Sequence, residues 1–206
     1  MKNQLFIIIT LITFKTIGQT QPSVKYPEKK KWRLELLFTQ DILNTSYGDN
    51  FGFVFKVKRP AFQKKHFDIY YGVCYQNSYI DETDNLFTKG IDGYTKDNGL
   101  YVVYELRYQP FQKKKFYVSL EPFIGLTHLK SKGTLRIPEH DVYQKYKNNY
   151  TYFNYGLSQS IGININDFSI SGFAWGSLKG FLDNGRSRPA DFDSRLFLGI
   201  GLGYSL

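Results

Sequence analysis

Apolar and polar residues alternate through two runs in the stretch LYVVYELRYQPFQKKKFYVSLEPFIGLT, residues 100–127, and one short basic turn joins them. In the first run Val102, Tyr104, Leu106 and Tyr108 fall on one face, with Glu105 and Arg107 on the other. In the second, Phe116, Val118, Leu120, Ile124 and Leu126 oppose Tyr117, Ser119, Glu121, Gly125 and Thr127. A period of two is what a strand imposes on its side chains, so the stretch predicts a β-hairpin. Its bulky apolar face is nearly free of charge, while the other face carries acids and bases. A soluble hairpin rarely aims such charges at its core, whereas a lipid-facing outside and a polar inside account for both faces.

The same alternation recurs along the chain. Trp32, Leu34, Leu36 and Phe38 alternate with Arg33, Glu35 and Thr39 as a first strand, and Asn44 to Asn50 carry turn chemistry. Phe51, Phe53, Phe55 and Val57 oppose Gly52, Val54, Lys56 and Lys58 in a second strand, which Pro60 is expected to stop because it cannot donate to a ladder. Phe67, Ile69, Tyr71, Val73 and Tyr75 share a face of a third. Residues 81–99, with Asp-Gly, Asp-Asn and Asn-Gly pairs, read as a long loop, as do residues 130–150 and 178–193. After the hairpin, Phe153, Tyr155, Leu157, Ile161, Ile163 and Ile165 mark a sixth strand, and a very short turn follows at Asn166 and Asp167. Residues 168–177 form a seventh strand of ambiguous facing. There Phe168, Ile170 and Ala174 compete with Phe173 and Trp175 for the outside, so a bulge is expected, and Pro122 is a second place where register is open. Leu196 to Leu206 alternate with a glycine-lined face to the end.

Eight strands of about ten residues match the length that crosses a bilayer when tilted about 45°. The connections alternate long and short, with both chain ends on the short side. The expected fold is therefore an all-β, eight-stranded antiparallel transmembrane up-and-down barrel, its longer loops extracellular. Its inward charges, Arg33, Glu35, Lys56, Glu105, Arg107 and Glu121, are expected to fill the narrow lumen as mixed-sign pairs, leaving no open pore for solutes. Lys58, Arg59, Lys64, Lys65 and the lysines at 29–31 and 113–115 are assigned to the short-turn rim, where they meet anionic head groups. Trp32, Tyr71, Tyr104, Tyr108, Tyr152, Tyr155 and Tyr204 suit interfacial girdles.

Composition changes this picture little. The 206 residues suit one domain, 18% of them are aromatic, and the net charge is +9. Strand topology explains the grouping of the bases better than nucleic-acid binding does. The lone Cys74 excludes an internal disulfide and reads as a small inward residue. His66, His128 and His140 lie too far apart to suggest a metal site, and no cofactor motif is present. Residues 1–20, with Lys2, an apolar run and then Lys15, read as a signal peptide too interrupted to span a membrane. Residues 21–31 read as a polar lead, and residues 32–206 as the barrel.

From Trp32 to Leu206 the chain resembles the small bacterial outer-membrane β-barrel domain of the porin or PorT family, and more distantly OmpA/OmpX-type barrels. YVVYELRYQPFQKKKFYVSLEPFIGL and the terminal LFLGIGLGYSL carry the resemblance. It implies a location in the outer membrane of a Gram-negative bacterium, in contact with outer-membrane lipid. It also implies recognition by the barrel-insertion machinery, although Leu206 stands where the family often ends in Phe. The expected function is a non-enzymatic scaffold, structural or surface-interacting, that meets a protein partner through its long loops. The alternatives are an accessory subunit of a secretion or uptake complex, a lipid-modifying barrel enzyme using His128 and Ser131, and a soluble ligand-binding barrel of lipocalin type. The enzyme reading is weak because two residues three apart on a strand point to opposite faces.

Overall fold

A computed structural model describes residues 32–42, 50–81, 90–111, 115–137, 142–178 and 196–206. Residues 1–31, expected as a signal peptide and polar lead, lie outside these residues. So do the connections at 43–49, 82–89, 112–114, 138–141 and 179–195, and with them much of the lysine rim and His140.

Eight strands follow in order: β1 (Arg33–Asp41), β2 (Asn50–Gln63), β3 (Phe67–Asp81), β4 (Gly90–Tyr108), β5 (Phe116–Ile137), β6 (Val142–Ile165), β7 (Phe168–Ser177) and β8 (Leu196–Ser205). Each pairs antiparallel with its sequence neighbours, and β1 pairs with β8, from Arg33 opposite Ser205 to Asp41 opposite Phe197. The sheet closes on itself as an up-and-down barrel, which leaves no edge strand over the closed part. Leu206 extends the closure by donating its amide to the Trp32 carbonyl at 2.8 Å.

Alternation sets the faces. Phe38, Val102, Ile161 and Ile200 are exposed on the outer wall, whereas Leu37, Val103, Glu105 and Trp175 are buried within. A lipocalin-type barrel would carry the apolar set inside, and this barrel carries it outside. Tyr152 is an exception among the expected girdle aromatics, since it points inward and is buried.

β7 has no bulge. Its register with β6 and β8 is unbroken, so Phe168, Ile170 and Ala174 face out while Phe173 and Trp175 face in. Phe173 lies opposite Gly199 of β8, where a Cβ would press on its ring, whereas Trp175 lies opposite Phe197, so the room for each is set by another strand. Pro122 likewise leaves register intact, opposite Leu157 of β6, with Val103–Phe123 and Leu106–Leu120 in step on its β4 side. Pro60 does not stop β2, which continues to Gln63. It sits instead at a register shift between Pro60 and Phe62, where a missing amide is tolerated.

The largest correction concerns the expected long loops. Residues 90–99 belong to β4, and β5 and β6 run to 137 and from 142, so most of the 81–99 and 130–150 segments is strand. At 19, 22 and 24 residues, β4, β5 and β6 are about twice as long as a membrane crossing needs, while β1, β7 and β8 are not. Beyond Gly156, where its register with β7 ends, β6 pairs with β5 and with no other strand among the described residues. Polar residues in these extensions mimic loop composition, and pairing between neighbours, invisible along one chain, holds them as sheet. The shortest connection is the two-residue turn at Asn166 and Asp167, where Asn166 takes φ 56°, a left-handed conformation that asparagine tolerates.

Candidate functional site: the barrel interior

The lumen has two layers. Toward the short-turn end lies a charged layer, built because β1, β2, β4 and β5 each place one or two charges on the inward parity. All six residues expected there, Arg33, Glu35, Lys56, Glu105, Arg107 and Glu121, are buried, and each is ion-paired with at least one of the others. Arg33 Nε meets Glu35 Oε1 at 2.5 Å, and its Nη2 donates to Ser169 Oγ at 2.5 Å. Arg107 Nη2 bridges Glu105 Oε1 at 2.6 Å and Glu35 Oε1 at 3.2 Å. Lys56 pairs with Glu121.

The centre of the layer is Lys58, which the sequence reading assigned to the rim. Its ammonium lies 2.5 Å from Glu105 Oε2, 2.7 Å from Glu35 Oε2 and 3.1 Å from Glu121 Oε2, and the residue is 1% exposed. Proximity to the turn suggested the rim, but parity decides: Lys58 is two residues after the inward Lys56. That signal was available in the sequence. Tyr117 and Tyr70 were also missed, and their rings lie 4.1 and 5.2 Å beneath the Arg107 guanidinium. Such cation–π contacts share the charge of a cation removed from water. Below the layer, a cavity of about 650 Å³ opens at the short-turn mouth between Arg33, Asp68, Tyr70, Arg107 and Gln109.

Toward the long-connection end lies an aromatic layer. Trp175 stacks on Phe123 at 4.2 Å and 9°, Tyr101 meets Phe123 edge-on at 5.0 Å, and Phe197 lies 5.2 Å from Trp175. Leu37, Val54, Cys74, Val103 and Phe173 complete the cluster. Cys74 is inward and buried, as expected. A polar cap follows, in which the Tyr101 hydroxyl shares hydrogen bonds with Thr127 at 2.7 Å and Gln76 at 3.2 Å. Asn154 donates to Thr127 Oγ1 at 3.0 Å and accepts from Ser177 Oγ at 2.6 Å. Among the described residues, paired charges occupy one layer of the lumen and interlocked rings the next.

The structure does not bring His128 and Ser131 together. His128 is exposed outside, its Nδ1 3.0 Å from Thr151 Oγ1, while Ser131 is buried inside. His66 Nδ1 contacts the Gln109 carbonyl at 2.9 Å in the short-turn region.

Comparison with known proteins identifies the fold. No family model matches the chain, and no curated protein matches it. The crystal structure of Ail, the attachment invasion locus protein of Yersinia pestis, is similar at a TM-score of 0.51 and 13% identity, covering 87% of this chain and 100% of that one. Neisserial surface protein A is similar at a TM-score of 0.43 and 10% identity, over 86% and 97% of the two chains. The N-terminal β-barrel domain of Pseudomonas aeruginosa OprF is similar at 0.43 and 7%, over 86% and 100%.

Proposed function

We propose that the chain is a non-enzymatic integral outer-membrane barrel of the porin/PorT kind, exported by a signal peptide over residues 1–20, with residues 21–31 as a periplasmic lead. One observation carries the reading. A closed eight-stranded barrel turns its apolar residues outward and its charges inward, which is the arrangement for lipid outside and protein inside. The short turns, the start of β1 and the end of β8 then face the periplasm. The paired charges and the aromatic layer close the lumen, and the protein acts as a scaffold whose projecting β4–β6 strands and connections meet partners outside the cell.

The test is electrophoretic mobility of the outer-membrane fraction with and without boiling in SDS. A heat-dependent shift in that fraction supports the reading, because a closed barrel resists detergent until heated. An unshifted band in the periplasmic fraction sinks it.

A further inference from the structure

The outer wall changes chemistry along β4, β5 and β6. Leu100, Leu126 and Phe153 form one cross-strand row and end the apolar belt. The next outward row is Asn98, His128 and Thr151, all polar. Above it Lys96 stands directly opposite Lys130, and in the following row Lys132 stands directly opposite Lys147, with Lys145 two residues further along β6. All five lysines are exposed, and they share the face that carries the belt below.

Like charges directly opposite each other in a sheet, about 5 Å apart at Cβ, destabilise it. Two such pairs side by side are a cost that a bound anion removes. The face is prepared for one: the Lys96 ammonium sits 5.4 and 5.5 Å over the rings of Tyr79 and Tyr94, which stack at 6.1 Å. Among the described residues, none of the other four lysines is ion-paired.

Height selects the anion. Lys96 and Lys130 lie four residues beyond the last apolar row, about 13 Å along strands tilted by about 45°, or about 9 Å in height. A lysine stem is long enough to let an ammonium anchored at that height meet the polar head-group layer. Because the patch faces sideways over the bilayer, on the same wall as the belt, a head group meets it before a soluble partner does.

We infer that Lys96, Lys130, Lys132, Lys145 and Lys147 form a binding site for the phosphate groups of outer-leaflet lipid, clamping a phosphorylated glycolipid against the projecting sheet. The inference rests on the outer-membrane reading above.

The test uses the full mature chain refolded in nonionic detergent and titrated with fluorescent bisphosphorylated lipid A, beside the triple variant K130Q/K132Q/K147Q. The wild type is expected to bind with an affinity that falls as salt rises. Each lysine removed should weaken binding about fivefold, so the triple variant should be weaker by about a hundredfold. Dephosphorylated lipid A should bind weakly to both. Equal binding by wild type and variant overturns the inference, as does equal binding of the two lipids. Inorganic phosphate or a soluble sulfated oligosaccharide that displaces lipid A mole for mole also overturns it. Retention of the heat-dependent gel shift shows that the variant is folded, and if it is lost, Lys147→Gln beside Lys147→Arg makes the same comparison. A wild-type chain without that shift defeats the outer-membrane reading itself, and this inference with it.

Discussion

Lys58 and Glu105 lie 2.5 Å apart on strands that are not neighbours, β2 and β4, with β3 between them. Gly72 of β3 stands opposite Lys58 on one side and Val103 on the other, and a Cβ there would press on the Val57 carbonyl and the Lys58 backbone. A side chain on the intervening strand would crowd the backbone from which the lysine stem starts. The pair thus depends on three strands together, and the charged layer is a product of closure.

Replacing Lys58 with Met is therefore expected to destabilise the barrel by about 3–5 kcal/mol, because Glu35, Glu105 and Glu121 all lose a cation while buried. Urea unfolding of the refolded protein measures it. A loss under about 1 kcal/mol, the value of a surface pair, would mean the lysine sits in water at the rim.

Trp175→Ala should cost about 3–5 kcal/mol by leaving a cavity among Phe123, Tyr101 and Phe197. Near-UV circular dichroism checks the geometry independently. The aromatic signal should collapse in the variant, and an unchanged spectrum would place Trp175 on the outer wall.

Ile161 tests the outside. It is 58% exposed, close to the middle of the belt that runs along β6 from Phe153 to Ile165. Ile161→Arg is expected to lower folding stability in lipid vesicles by about 2–4 kcal/mol, the cost of arginine near a bilayer midplane. The same substitution in a water-soluble barrel would be nearly neutral, so a cost near zero would oppose the membrane reading.

At the two-residue turn, Asn166→Ala should cost about 1 kcal/mol because a Cβ is strained at positive φ. Asn166→Gly should be close to neutral. Reversible denaturation of both variants distinguishes the conformational cause from loss of the amide, since a purely polar role would make the two equally destabilising.

Local alternation by itself determined the strand count, the inward parity of Arg33, Glu35, Lys56, Glu105, Arg107 and Glu121, and the outward parity of the belt. Neighbouring residues on a strand are forced to opposite faces wherever the strand pairs. Tertiary structure alone decided three other things. Residues 90–99, 130–137 and 142–150 became sheet because each finds hydrogen-bonding partners on adjacent strands, and a polar stretch read singly carries no sign of them. Phe173 turned inward where Gly199 of β8 leaves its ring space, and Trp175 where Phe123 and Phe197 pack on it, relations between strands far apart in the chain. Lys58 became the hub because barrel curvature brings carboxylates from β1, β4 and β5 within reach of one ammonium. Its parity was legible along the chain, but its partners were set only when β1 met β8 and the sheet closed.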